Sequence, residues 1–147
     1  HHSGVSGSKL SQLGDTLCLE KLDVFADVYR RILLELPSYH DLKDENSYHM
    51  MVLGMCSCLY GEYEIKSNRE SGKGRSDLIL KNLTGKYAHY ILEFKYTKEE
   101  SQNLTGLAEE AIRQVKVKRY DAGMKGKIFY IGLAHRGKES EVVWEEV

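Results

Sequence analysis

The hydrophobic pattern of this chain changes its period near residue 61, and that change restricts the possible folds more than any other feature. Before Gly61 the apolar residues recur at helical spacing, whereas from Tyr63 onward they alternate or run together as in strands. One further helical pattern, over residues 103–122, precedes the last two β segments. Helices followed by strands with one helix between them predict an α/β fold, a mixed sheet flanked by helices.

The predicted elements follow the order ααβββαββ. The first helix runs from Asp15 to Leu36, before Pro37, and the second runs from Asn46 or Ser47 to Tyr60. The strands are predicted over residues 63–68, 76–81, 87–96, 128–134 and 141–144. Since no repeat or linker divides them, we expect one domain over residues 9–147, with a helical lead-in at 9–45 and a core at 46–147. Residues 1–8 are interpreted as an expression-tag remnant.

Composition narrows the class of protein. The 147 residues are 41% hydrophobic and carry a net charge of −1, which suits a folded domain rather than a disordered chain. No apolar run approaches the roughly 18 residues of a membrane helix, so we expect no membrane span. Three cysteines without a CxxC pair favour small buried thiols in a reducing compartment, namely a bacterial cytosol, or a host cytosol if the protein is an effector.

Two acidic residues lie on strands that a hairpin should join. Asp77 is near the start of one strand, and the next strand contains Glu93, Phe94 and Lys95. Because side chains alternate across a strand, Glu93 and Lys95 project from one face while Phe94 points to the other. A hairpin pairing that sets Asp77 beside Glu93 would therefore collect two carboxylates and a lysine at one place.

This grouping suits metal-dependent chemistry on a phosphate. Asp77 and Glu93 can share a hard divalent cation, Mg²⁺ or Mn²⁺, with the carbonyl of Phe94 as a further oxygen ligand. Such an ion polarises a scissile phosphate and lowers the pKa of a bound water, and Lys95 can orient that water or offset negative charge. The alternative is an exposed sheet face with an ordinary Glu–Lys pair.

Basic residues are clustered although the net charge is small. One cluster comprises Lys66, Arg69, Lys73 and Arg75, with Glu70 as its only acid. From Arg113 to Lys127 six basic residues accompany a single acid, Asp121. Either cluster alone is typical of a solvated surface, but two clusters around acidic strands indicate a polyanionic partner.

The pattern of Asp77, a hairpin and then Glu93-Phe94-Lys95 resembles the PD-(D/E)XK nuclease superfamily. The resemblance covers about residues 47–135, and residues 67–77 are similar to the branch often found beside an AAA-ATPase-like domain. It implies a restriction-endonuclease-like fold in which Asp77 and Glu93 bind the metal and Lys95 is catalytic. It also implies an ATPase-like or other domain elsewhere on the full-length chain.

Many members of this superfamily carry a Gln and a Tyr on the helix after the third strand. Here the resemblance assigns these roles to Gln114 and Tyr120, although their spacing is longer than the usual four residues. Lys118, four residues after Gln114, shares its helix face and is the better geometric partner. We expect Gln114 at the catalytic site, and Lys73, Arg75, Lys118 and Tyr120 on the nucleic acid.

The first motif of the superfamily is an acid, or in one branch a histidine, on the helix before the sheet. No acid lies within residues 47–60, so His49 is the candidate metal ligand there, and a locally hydrogen-bonded histidine is the alternative. Glu62, Glu64 and Glu70 are the fallback acids.

The sequence thus predicts a Mg²⁺- or Mn²⁺-dependent nuclease that hydrolyses phosphodiester bonds in DNA. One alternative is a catalytically silent module of the same fold that binds nucleic acid or a protein partner. Another is a targeting or interaction module cut from a larger toxin or effector. Residues 72–76 mimic a phosphate loop but lack its spaced first glycine and its Lys-Ser/Thr ending.

Overall fold

A computed structural model describes residues 7–35, 48–49, 52–54, 56–59, 61–70, 75–118, 121 and 123–147. The elements in chain order are α1 (Gly7–Cys18), α2 (Leu22–Glu35), a 3₁₀ turn (Cys56–Leu59), β1 (Tyr63–Glu70), β2 (Arg75–Asn82), β3 (His89–Tyr96), α3 (Leu104–Lys118), β4 (Ile128–Arg136) and β5 (Glu139–Glu146). No helix among these described segments is long and apolar enough to cross a membrane.

The prediction of a single first helix from Asp15 to Leu36 is wrong. The chain breaks between α1 and α2, where Glu20 takes a left-handed φ of 57°. The amides of Leu19 and Lys21 bond back to the carbonyls of Asp15 and Thr16, which ends α1 with a turn. Apolar spacing continues through this turn, so periodicity alone does not reveal it. Moreover, α1 begins at Gly7, within the residues 1–8 that were interpreted as a tag remnant.

The second predicted helix is described only in part. The backbone is helical at residues 48–49 and 52–54, and the 3₁₀ turn follows. Val52 and Leu59 of its predicted apolar stripe are buried. Met51 and Met55, the other two members of that stripe, lie outside the described residues.

The five strands form one mixed sheet in the order β1-β2-β3-β4-β5. All neighbouring pairs are antiparallel except β3 and β4, which are parallel because α3 crosses between them. The expectation of a restriction-endonuclease-like α/β fold, a mixed sheet flanked by helices, is therefore confirmed.

The two faces of β3 pack against different helices. Tyr90, Leu92 and Phe94 join the large apolar cluster formed with α1 and α2. Ile91, on the other face, packs with Ile112 and Val115 of α3. Because side chains alternate, Glu93 and Lys95 project from the face that α3 covers. The sheet thus separates an α1–α2 face from an α3 face, and the acidic residues of β3 belong to the latter.

Candidate active site

Asp77 and Glu93 lie directly opposite each other in the antiparallel β2–β3 pair. The hairpin register is therefore the one that the sequence predicts. Both side chains are shielded from solvent, with exposed fractions of 2% for Asp77 and 0% for Glu93. Two carboxylates buried this closely need positive charge nearby, because an isolated buried anion is very costly.

Lys118, the last residue of α3, supplies that charge. Its Nζ donates to Asp77 Oδ2 at 2.7 Å and to Glu93 Oε1 at 2.9 Å. The lysine side chain is only 13% exposed. It reaches the carboxylates because it continues the stripe of α3 that faces the sheet, which includes Ala111 and Val115.

The protonation of this cluster follows from its burial and its charges. Burial raises the pKa of Glu93 to about 7; repulsion from Asp77 adds to the rise, while the hydrogen bond and charge of Lys118 and the charge of Lys95 oppose it. Burial by itself lowers the pKa of Lys118, but its hydrogen bonds and attraction to Asp77 and Glu93 outweigh that effect and raise this pKa. Lys118 therefore carries its charge at neutral pH.

Lys95 and Phe94 adjoin the carboxylates along β3. Lys95 is half-buried, and its charge acts on Glu93, which fits a position on the same face two residues away. The carbonyl of Lys95 accepts a hydrogen bond from His135 Nδ1 at 2.9 Å. Because His135 belongs to β4, this hydrogen bond fixes the end of β3 to β4. The ring of Phe94 is fully buried on the opposite face. Only the backbone carbonyl of Phe94 is therefore available as a metal ligand.

Three buried oxygens near this cluster have no hydrogen-bond partner among the described residues. They are Asp77 Oδ1, Glu93 Oε2 and Gln114 Oε1. Gln114 lies one turn before Lys118 on α3, so its amide is on the same side of the helix. Unpartnered oxygens of this kind fit a hard cation such as Mg²⁺ or Mn²⁺. The residues present therefore fit the metal that the sequence implies, although no group of three or more His, Cys, Asp or Glu side chains suited to a metal occurs within the described part of the chain.

His49 does not join these residues. Its Nε2 is hydrogen-bonded to Ser67 Oγ at 2.5 Å, and its ring centre lies 5.4 Å from that of Phe94. Ser67 pairs with Leu78, which is buried in the cluster under α1 and α2. His49 thus lies on the α1–α2 face, opposite the carboxylates. The structure therefore agrees with the alternative of a locally hydrogen-bonded histidine and not with the expected metal ligand. Helical spacing could not reveal which sheet face this helical segment covers.

The fallback acids lie at different places along β1 or just before it. Glu62 precedes Tyr63, whose partner Asn82 is at the far end of β2, and Glu64 pairs with Lys81 near that end. Glu70 pairs with Arg75, two residues from Asp77, which places its backbone beside the site.

Asn68, opposite Asp77 in the β1–β2 register, lies on the same sheet face and was missed by the sequence reasoning. It could have been found from the hairpin register.

The described residues include only some of the predicted DNA contacts. Lys73 and Tyr120 lie outside the described residues, and only the backbone of Arg75 is described. Lys118 was assigned to the nucleic acid, and in this structure its ammonium contacts Asp77 and Glu93. The i,i+4 relation to Gln114 was the signal that Lys118 faces the site.

A mixed sheet with helices on both faces, carrying an Asp on one strand opposite the Glu of a Glu-x-Lys strand, defines a restriction-endonuclease-like domain. A family model of the PD-(D/E)XK nuclease superfamily matches residues 43–145, most of the chain, and the chain belongs to that superfamily. A search of curated proteins found no match.

Proposed function

We propose that this domain is a metal-dependent nuclease that hydrolyses phosphodiester bonds in DNA. The observation that carries the proposal is the buried pair Asp77–Glu93, aligned across β2 and β3 with Lys95 beside it. A structural role alone does not favour two facing carboxylates in a sheet that is otherwise apolar at its centre.

Asp77 and Glu93 would hold Mg²⁺ or Mn²⁺, with the Phe94 carbonyl and the Gln114 amide oxygen as further donors. The unpartnered oxygens Asp77 Oδ1, Glu93 Oε2 and Gln114 Oε1 support this assignment. A bound ion there supplies Lewis acidity toward the phosphate and a water of lowered pKa. Because His49 lies on the other face, the proposed ligands of the metal are all oxygen atoms. A nitrogen ligand would favour Mn²⁺ over Mg²⁺, and without it we expect a weaker preference for Mn²⁺.

Lys95 is proposed as the catalytic lysine. It is half-buried beside Glu93, and its ammonium can hydrogen-bond the attacking water or offset the negative charge that develops on the phosphate. Lys118 also carries a positive charge at the site, but in this structure both carboxylates engage it. The two lysines therefore have different surroundings and are separable by mutation.

DNA is the proposed substrate because basic residues adjoin the carboxylates. Arg75 begins β2, two residues before Asp77 in the chain. Arg113 is exposed on α3, one residue before Gln114. We propose that Lys73, Arg75 and Tyr120 contact the DNA backbone together with such residues of α3, in a cytosolic protein that carries further domains.

One observation favours a second candidate, a catalytically silent module of the same fold. The ammonium of Lys118 already bridges Asp77 and Glu93, which is the position a metal would share. In that case the domain would bind nucleic acid or a protein partner without cleaving.

The deciding experiment incubates the protein with supercoiled plasmid, linear duplex, single-stranded DNA and RNA, each with Mg²⁺, Mn²⁺ or EDTA. We expect cleavage of at least one DNA substrate with metal and none with EDTA, and much weaker cleavage by Asp77→Asn. Metal-independent cleavage, or equal cleavage by Asp77→Asn, would contradict the proposal. Binding of DNA without cleavage in any metal would favour the silent module.

A further inference from the structure

The ammonium of Lys118 donates a hydrogen bond to one oxygen of each of the two carboxylates. It is 2.7 Å from Asp77 Oδ2 and 2.9 Å from Glu93 Oε1. The other oxygen of each carboxylate, Asp77 Oδ1 or Glu93 Oε2, is buried and has no hydrogen-bond partner among the described residues. Lys118 therefore satisfies half of a site whose full set of oxygens is suited to a cation of higher charge.

Positively charged side chains already face both acids in this structure. Two carboxylates, Asp77 and Glu93, face two ammonium groups, Lys118 and Lys95. A divalent ion added to this arrangement would lie in direct contact with the Lys118 ammonium in a buried place, where like charges repel strongly. The ion and the ammonium therefore compete for the same two carboxylates.

The position of Lys118 makes an exchange between the two cations feasible. Its side chain has four rotatable bonds, and 13% of it is already exposed. Movement of the ammonium toward solvent needs no change in β2 or β3, whose register holds Asp77 opposite Glu93.

We propose that Lys118 is a built-in competitor of the metal: its ammonium holds Asp77 and Glu93 together in the metal-free protein and must leave them when Mg²⁺ or Mn²⁺ binds. This inference rests on the proposed function, because it takes the two carboxylates as the metal site. Lys118 then sets the metal affinity, a role distinct from that of Lys95. In the metal-free protein it also lowers the free-energy cost of burying Asp77 and Glu93.

The first test measures Mn²⁺ binding by calorimetry for wild type and Lys118→Met, which keeps most of the length of the side chain and removes its charge. We expect about tenfold tighter binding by Lys118→Met, because no charge-assisted hydrogen bond has to be broken. Lys116→Met is the matched control; Lys116 is on the same helix but pairs with Glu145 at 2.6 Å on the surface, and its loss should leave affinity unchanged. Equal or weaker binding by Lys118→Met than by wild type would overturn the inference.

The second test uses the wild-type protein, so it does not depend on how well a variant folds. Lysines are acetylated with acetic anhydride in EDTA or in Mn²⁺, and modified sites are quantified by mass spectrometry. Lys118 should be acetylated several-fold faster with Mn²⁺, while Lys116 reacts equally in both. Equal reactivity of Lys118 in both conditions would overturn the inference.

The metal site and the competitor role of Lys118 are contradicted by different results. If wild type binds Mn²⁺ and cleaves DNA but Lys118 behaves as Lys116 does in both tests, only the competitor role is wrong. If neither wild type nor Lys118→Met binds Mn²⁺, the metal site itself is wrong and the proposed function falls with it.

Discussion

Ala108 of α3 and Gly132 of β4 approach so closely that a Cβ on Gly132 would stand 2.1 Å from the Ala108 carbonyl oxygen. Gly132 is also the β4 partner of Glu93. The missing side chain therefore lets α3 lie against the sheet beside the acidic pair. Because α3 carries Gln114 and Lys118, the distance between this helix and the sheet determines whether these side chains can reach Asp77 and Glu93.

We expect Gly132→Ala to lower the free energy of unfolding by about 1–3 kcal/mol, since backbone must move to admit the methyl group. Urea denaturation measures this change. Gly54→Ala is the control, because a Cβ at helical Gly54 would meet nothing within 4 Å. If Gly132→Ala is as stable as wild type, the close approach of α3 does not hold in solution.

Replacing either acid should weaken metal binding and cleavage. Asp77→Asn and Glu93→Gln keep the shape of each side chain but lose its charge, so calorimetry should show at least about tenfold weaker Mn²⁺ binding and cleavage should fall by about 100-fold or more. Glu145→Gln changes a partly exposed acid that pairs with Lys116 of α3, and it serves as the control. Wild-type cleavage by Asp77→Asn would contradict the assignment of these residues.

Lys95 should separate catalysis from binding. Because an ammonium is not a metal ligand, Lys95→Ala is expected to keep Mn²⁺ and DNA affinity while its turnover under saturating DNA falls by about 100-fold or more. Lys98→Ala, an exposed lysine three residues later, is the matched control. Normal turnover with weaker DNA binding would instead make Lys95 a phosphate contact.

DNA binding should depend on salt through exposed bases of α3. In EDTA, where cleavage is absent, Arg113→Ala should reduce the slope of log affinity against log salt by about one. Lys118→Ala should leave this slope nearly unchanged, because its charge is already neutralised by Asp77 and Glu93. Fluorescence anisotropy at several salt concentrations measures both. An unchanged slope in Arg113→Ala would show that this helix face is ordinary solvated surface without a contact to DNA.

His135 should make stability depend on pH. It is fully buried, donates to the carbonyl of Lys95 and accepts from the Tyr29 hydroxyl at 2.6 Å, so it is neutral. Burial lowers its pKa to about 3, from 6.5 in the unfolded chain. The unfolded chain therefore binds more protons between these values, and this contribution to the free energy of unfolding falls by about 1.4 kcal/mol per pH unit as pH drops below 6.5.

Glu93 acts in the opposite direction. Burial raises its pKa to about 7, so below that pH the folded state takes up the proton first and gains stability until the unfolded value near 4.5 is reached. Subtracting the stability of His135→Gln from that of wild type cancels the Glu93 contribution. The difference should fall by about 1.4 kcal/mol per unit from pH 6 to pH 4 in urea denaturation. A difference that does not vary with pH would show that His135 is not buried as a neutral ring.

The sequence by itself determined the strands and the pair Asp77–Glu93. The alternation of apolar residues assigns each side chain to a face, and the short hairpin between β2 and β3 restricts the register, so both depend on neighbouring residues along the chain. The Glu-x-Lys spacing likewise placed Lys95 on the face of Glu93. These are local relations, and periodicity is sufficient to predict them.

Only the tertiary structure decided which helices meet that pair. Helical spacing identifies the buried stripe of a helix, but it does not say which sheet face the stripe covers or how closely it packs. For that reason His49 was expected at the metal and lies on the α1–α2 face, while Lys118 was expected on DNA and bridges Asp77 and Glu93. The reach of Lys118 depends on contacts between residues far apart in the chain, Ala108 and Gly132 among them, and no local pattern contains that distance.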